Sequence, residues 1–144
     1  MSIQAILYDK GSNVVTIVPG ASIKGAAEML RDKNIAALVV RSGSGAVLGL
    51  ISEREIVHAL AGSGERTCGL LVSQVMTRTL VSVAPEDSLK RAMALMTRHR
   101  TRHLLVLKDG EPAGIISIGD VIKHRLDDLE LTISLRGDIY ATAH

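Results

Sequence analysis

The chain of 144 residues has no Phe and no Trp, and only two Tyr, Tyr8 and Tyr140. A core must therefore be built from Val, Ile, Leu, Ala and Met, and a bound base has no bulky ring to lie on. The single cysteine, Cys68, excludes an internal disulfide and fits a reducing compartment. No apolar run approaches the roughly 18 residues that a membrane span needs. The start, MSIQAILYDK, lacks a basic region ahead of a long apolar stretch, so no secretory signal is read there. These absences set the expectation of a cytoplasmic protein with no membrane association. A dominant charge is also lacking: 17 Lys and Arg face 15 Asp and Glu, a net charge of +2 that favours anionic partners only weakly. With 47% hydrophobic and 22% charged residues, the composition is that of a globular protein of one compact domain or two small ones.

What is present is one phrase written twice, GLISEREIV at Gly49–Val57 and GIISIGDVI at Gly114–Ile122. Around it, Val15–Leu60 aligns with Val81–Arg125 at an offset of 66, falling to 65 after one deletion opposite Gly45. The 45 pairs hold ten identities, among them Pro19/Pro85, Ser22/Ser88, Leu38/Leu104, Gly49/Gly114 and Ser52/Ser117. Their order matches the order of the local structural signals, which marks an internal repeat.

Each copy opens on a short apolar stretch ending in Pro, Val14–Pro19 and Leu80–Pro85. Ser22 and Ser88 then stand where a helix N-cap belongs, because their hydroxyls can accept from a free backbone N–H. Apolar residues follow at helical spacing, Ile23, Ala26, Ala27 and Leu30 in one copy and Leu89, Ala92, Met93 and Met96 in the other. A β-rich run comes next, Ala36–Val40 or Leu104–Leu107. Ser42–Gly45 and Lys108–Glu111 then read as turns, since Asp-Gly tolerates positive φ. A second strand, Val47–Ile51 or Ala113–Ile116, leads into a short helix. Each copy is thus β-α-β-β-α, an α/β (α+β) fold of two small repeats that need each other, because such short strands are not stable alone. The expected division is 1–66 for the first repeat with its N-terminal segment, 67–126 for connector and second repeat, and 127–144 for a helical tail. The connector Thr67–Thr79 has apolar letters of its own and is expected to dock. In the tail, Leu126, Leu129 and Ile133 keep helical spacing and Gly137 is expected to weaken or end the helix.

From about Ile3 to Leu126 the chain resembles the tandem CBS-domain proteins, whose paired repeats form a Bateman module. The resemblance rests on Gly-apolar-apolar-Ser/Thr-x-x-Asp at the second strand-to-helix junction, present as Gly114-Ile-Ile-Ser117-Ile-Gly-Asp120. The first copy, Gly49-Leu-Ile-Ser52-Glu-Arg-Glu55, departs from it with Glu for Asp. Gln74-Val-Met-Thr77 followed by Leu80-Val-Ser-Val83 is similar to the family's approach to a second repeat. The resemblance implies two repeats related by a pseudo-two-fold, with clefts that bind adenosine-containing ligands such as AMP, ADP, ATP, NAD(H) or S-adenosylmethionine. It further implies a regulatory module that forms a homodimer.

The letters suit that ligand. A ribose offers two neighbouring hydroxyls and a carboxylate accepts from both, which makes Asp120 the candidate clamp, with Ser117 one helical turn before it. A helix start also favours an anion. The same two residues read equally as an ordinary helix start, Ser as N-cap and Asp in the first turn. Ser52 and Glu55 are the first-copy counterparts, with the carboxylate displaced by one C–C bond. Arg102 and His103 stand where the first copy has Ala36-Ala37, and Arg54 stands where the second has Gly119. In related modules basic residues at these positions contact phosphates, so the resemblance implies an asymmetric phosphate end in which Arg54 faces Arg102 and His103. Adenine is expected against Val15 and Val81, with Met76 and Thr77 lining one pocket; a buried Val is also simply core. No metal is expected: His99 and His103 have i,i+4 spacing, but the helix is expected to end between them.

Two other classes remain as alternatives. A nucleic-acid binder draws on the run RHRTRH at Arg98–His103, against interleaved acidic residues and no stacking rings. A purely structural protein-interaction module would use the same fold without nucleotide. An enzyme is disfavoured because neither Ser52 nor Ser117 lies in a Gly-x-Ser-x-Gly elbow. No part of the chain reads as an effector, so a regulatory role implies an unidentified protein partner acting in trans.

Overall fold

The computed structural model describes residues 2–11 and 13–143, with side chains through residue 135. Two compact units emerge, one of Asn13–Leu80 and one of Met1–Ser12 with Val81–His144. Each is built on a three-stranded mixed sheet.

In the first unit, β1 (Thr16–Ile17) pairs in parallel with β2 (Ala37–Arg41), which pairs antiparallel with β3 (Val47–Ser52). The helix α2 (Ile23–Lys33) connects β1 to β2, and α3 (Glu53–Ser63) follows β3. The second unit repeats this plan with β4 (Ser82–Val83), α5 (Leu89–His99), β5 (His103–Lys108), β6 (Glu111–Ser117) and α6 (Ile118–Ala143). Even the irregularity recurs, with a register shift at Val40/Arg41 and again at Val106/Leu107.

Local chemistry accounts for these elements. The Ser22 hydroxyl accepts from Gly25 N–H and the Ser88 hydroxyl from Arg91 N–H, each at 3.1 Å, so both helices start at their serines. Both end on a left-handed residue, Asn34 and Arg100. Asp109 and Gly110 both take positive φ, 52° and 79°, which is the tight hairpin turn that Asp-Gly allows. Ile23, Ala26 and Leu30 face the first core, and Leu89, Ala92 and Met96 the second. Ala27 and Met93, expected on those faces, are exposed instead, and the half-buried Met29 and Leu95 pack on the two cores in their place.

The extra segments pack across the expected boundaries. The helix α1 (Ile3–Lys10) precedes the first repeat in the chain but inserts Ile3, Ile6 and Leu7 into the core of the second. The connector, a 3-10 turn (Gly64–Gly69) and the short α4 (Val72–Val75), puts Val72 and Met76 into the core of the first. The two segments use equivalent anchors. Val72 N–H donates to Ala21 O and Ser73 N–H to Pro19 O; Ile3 N–H donates to Asp87 O and Gln4 N–H to Pro85 O. The compact units therefore divide at 12/13 and 80/81 rather than at 66/67, because each covering segment docks on one repeat and leads into the other.

Gly137 does not end the last helix, which continues to Ala143. One interior glycine costs only about 1 kcal/mol relative to Ala, too little to stop a helix by itself.

Candidate functional site

The residues singled out by the repeated phrase lie where β3 and β6 hand over to α3 and α6. In the second unit Ser117 ends β6 and Asp120 sits in the first turn of α6. Asp120 N–H donates to Ser117 Oγ at 3.1 Å, and Ser117 N–H donates back to Asp120 Oδ2 at 2.8 Å. This reciprocal pair satisfies two backbone donors that a helix start otherwise leaves open. The helix-start reading of these letters is thus a fact of the fold, and any ligand role is added to it.

Lys10, the last residue of α1, joins the same carboxylate. Its ammonium donates to Asp120 Oδ2 at 2.7 Å and to the Ile115 carbonyl at 2.9 Å. Burial would raise the Asp120 carboxyl, but Lys10 and the Ser117 backbone and hydroxyl together hold it below the ordinary carboxylate value.

Two basic residues belong to this junction. His103 opens β5 and is the register partner of Ser117, and the Arg102 carbonyl accepts from Ile118 N–H at 2.9 Å. Arg102 is exposed and His103 half-buried. Ser117, Asp120, Arg102 and His103 therefore lie at one end of one sheet, because the β5–β6 hairpin pairs His103 with Ser117. Val81 packs on the core of this unit, and its carbonyl bonds Leu105 N–H at 3.1 Å.

The first unit has a parallel junction. Glu55 reaches back so that its Oε1 accepts from Ser52 N–H at 2.8 Å and from Ser52 Oγ–H at 2.7 Å. The longer acid still closes the helix start. Arg54 is exposed in the first turn of α3. Val15 packs on the core, and Met76 is part of it. Thr77 exchanges two backbone bonds with Leu50, at 3.0 and 2.9 Å, and so lies along β3.

Sequence reasoning missed Lys10 and the docking of α1. A signal was there: Ile3-Gln-Ala-Ile6-Leu7 matches Val72-Ser-Gln-Val75-Met76 in its apolar positions. As for metals, α5 ends at His99 and β5 begins at His103, so the two histidines do not share a helix. Among the described residues no cluster of three or more His, Cys, Asp or Glu is placed to hold an ion. No helix among the described residues is long and apolar enough to cross a membrane.

Comparison with known proteins agrees with this architecture. The model of the CBS domain matches residues 10–62 and 72–127. The mitochondrial CBS domain-containing protein CBSX3 of Arabidopsis thaliana is 36% identical over 106 residues, which is 71% of this chain and about half, 52%, of that protein. The crystal structure of the CBS-domain containing protein ATU1752 from Agrobacterium tumefaciens is 41% identical and superimposes with a TM-score of 0.84 over 86% of this chain and 92% of that one. The CBS domain pair of protein MJ0100, solved with 5-methylthioadenosine and S-adenosyl-L-methionine, has the same fold at 22% identity, with a TM-score of 0.75 over 85% of this chain and 98% of that one.

Proposed function

This chain belongs to the CBS-domain family, and from that premise we propose that it is a regulatory module that binds an adenosine-containing nucleotide and signals to a protein partner in trans. The observation that carries the reading is the second junction, where the mutually bonded Ser117 and Asp120 stand at a helix start whose backbone is paired with that of Arg102 and His103. In this reading Asp120 accepts from the ribose hydroxyls, and Ser117 holds the carboxylate in place. Arg102 and His103 serve the phosphate end, with a guanidinium fork that matches phosphate geometry. Arg54, Ser52 and Glu55 form the counterpart site, whose longer acid gives it a different grip and a different affinity. Val15, Val81, Met76 and Thr77 supply the aliphatic setting for adenine. AMP, ADP, ATP, NAD(H) and S-adenosylmethionine are the ligands to try, a homodimer is the working assembly, and the cytoplasm the working location. The neighbour solved with two adenosine ligands supports the ligand class.

The test is a thermal-shift series with those ligands on the purified protein, after a check for copurified nucleotide. At 100 times Kd a ligand adds about 2.7 kcal/mol, a rise of about 5–10 °C for a chain of this size. A shift that disappears in Asp120→Ala supports the ribose clamp. No shift with any ligand, and no bound nucleotide, sinks the reading and leaves a scaffold for protein contacts.

A further inference from the structure

Two donors already converge on one oxygen of the Asp120 carboxylate, Oδ2: Lys10 Nζ at 2.7 Å and the Ser117 backbone N–H at 2.8 Å. A carboxylate oxygen has about two acceptor sites. A ribose held through both carboxylate oxygens, one hydroxyl on each, brings a third donor to Oδ2, so one of the two has to leave. The Ser117 N–H is fixed to the start of α6, where Ser117 Oγ also accepts from Asp120 N–H. Lys10 is the one that can go: its side chain is 43% exposed, and an ammonium on a flexible four-carbon stem is readily taken up by water.

We propose that Lys10 is a latch on the second-repeat site, which holds Asp120 until a ribose displaces it and thereby releases the last turn of α1. The proposal rests on the reading of Asp120 as ribose clamp. The rest of α1 stays in place, because Ile3, Ile6 and Leu7 are buried in the core of the second unit. Only the end that Lys10 ties to Asp120 and to the Ile115 carbonyl changes. That end leads directly, through Gly11 with its φ of 90°, into the first repeat. Occupation of the second-repeat site is thus felt at the segment by which the chain enters the other repeat.

A second tie, between Asp9 and the buried His124 at 3.3 Å, holds α1 to α6 without touching Asp120. It provides the control. AMP and, separately, S-adenosylmethionine are titrated calorimetrically into the wild-type full chain, Lys10→Met, Lys10→Arg, Asp9→Asn and Asp120→Ala. Amide hydrogen exchange at residues 8–11 is followed with and without ligand. Lys10→Met is expected to bind about 1.5- to 5-fold more tightly, the range that an exposed ion pair commands. Lys10→Arg and Asp9→Asn should bind like the wild type. Ligand should speed exchange at residues 8–11 in the wild type and change little in Lys10→Met. Binding by Lys10→Met alone would support the latch more strongly still. If the wild type binds, Asp120→Ala does not, and Lys10→Met binds equally or less tightly, the latch is wrong and the ribose clamp stands. If neither the wild type nor Lys10→Met binds these two or any other ligand of the thermal-shift series, the nucleotide reading fails and the latch fails with it.

Discussion

Gly49 and Gly114 occupy the same place in their repeats, but different neighbours press on them. A Cβ on Gly49 would overlap the backbone carbonyl of Thr77, with Met76 Sδ 3.1 Å away. A Cβ on Gly114 would meet the tip of a side chain, Leu7 Cδ2, at 2.6 Å. In one unit the covering segment is a short helix that breaks at Met76, after which Thr77 makes a single antiparallel bridge with Leu50. In the other it is an eight-residue helix that continues to Lys10 and ends on Asp120. One glycine in the repeat thus serves two devices, a backbone bridge and a helix with a charged tip. Duplicated sheets need a cover at this strand, and the two covers have diverged where they pass the candidate site.

The largest losses are expected where the two units are alike. Leu38 and Leu104 are fully buried equivalents in β2 and β5. Leu38→Ala and Leu104→Ala should each cost about 3–5 kcal/mol in urea unfolding, and a difference of more than about half between them would show that the repeats are not energetically alike. The glycines sharpen the difference. Gly49→Ala forces backbone apart and should cost about 3 kcal/mol, whereas Gly114→Ala needs only a leucine to shift and should cost about 1 kcal/mol. Equal losses would mean that the two covers are equally rigid.

At the helix starts, Ser52→Ala and Ser117→Ala should each lose about 0.5–2 kcal/mol of stability. An unfolding series that finds either one silent would remove that serine from the cap. The smallest expected effect is in acid. The folded-state carboxyl of Asp120 lies below its unfolded value, so its contribution is complete above the unfolded value near 4 and is lost as pH falls through the folded one. Asp120→Asn should therefore flatten the stability profile below about pH 4, and Lys10→Met should move the loss to higher pH. Profiles of both variants that overlay the wild type would show that the Lys10–Asp120 pair contributes nothing to folding.

Much of this was legible from local letters. Ser22 and Ser88 announce their helices, Asp109-Gly110 its hairpin turn, and Ser117 with Asp120 a helix start that also suits a ribose. These signals work because capping and turn geometry depend on residues three or four apart. Lys10 gave no such signal, since its partner is 110 residues away. The docking of the covering segments showed only as the likeness of Ile3–Leu7 to Val72–Met76, which does not say which repeat each one covers. Ile3, Ile6 and Leu7, like Val72 and Met76, declare only that one face is apolar.

The letters alone specify two like repeats, the order of their elements, the serine starts of α2 and α5, their aliphatic cores and the residues at the strand-to-helix junctions. All of these follow from periodicity and short-range hydrogen bonding. The tertiary structure alone reveals that each covering segment packs on the repeat other than the one it leads into, and that Lys10 arrives at Asp120. An apolar stripe fits any apolar surface, and what selects one is the set of backbone acceptors beside it: Pro19 and Ala21 for one segment, Pro85 and Asp87 for the other.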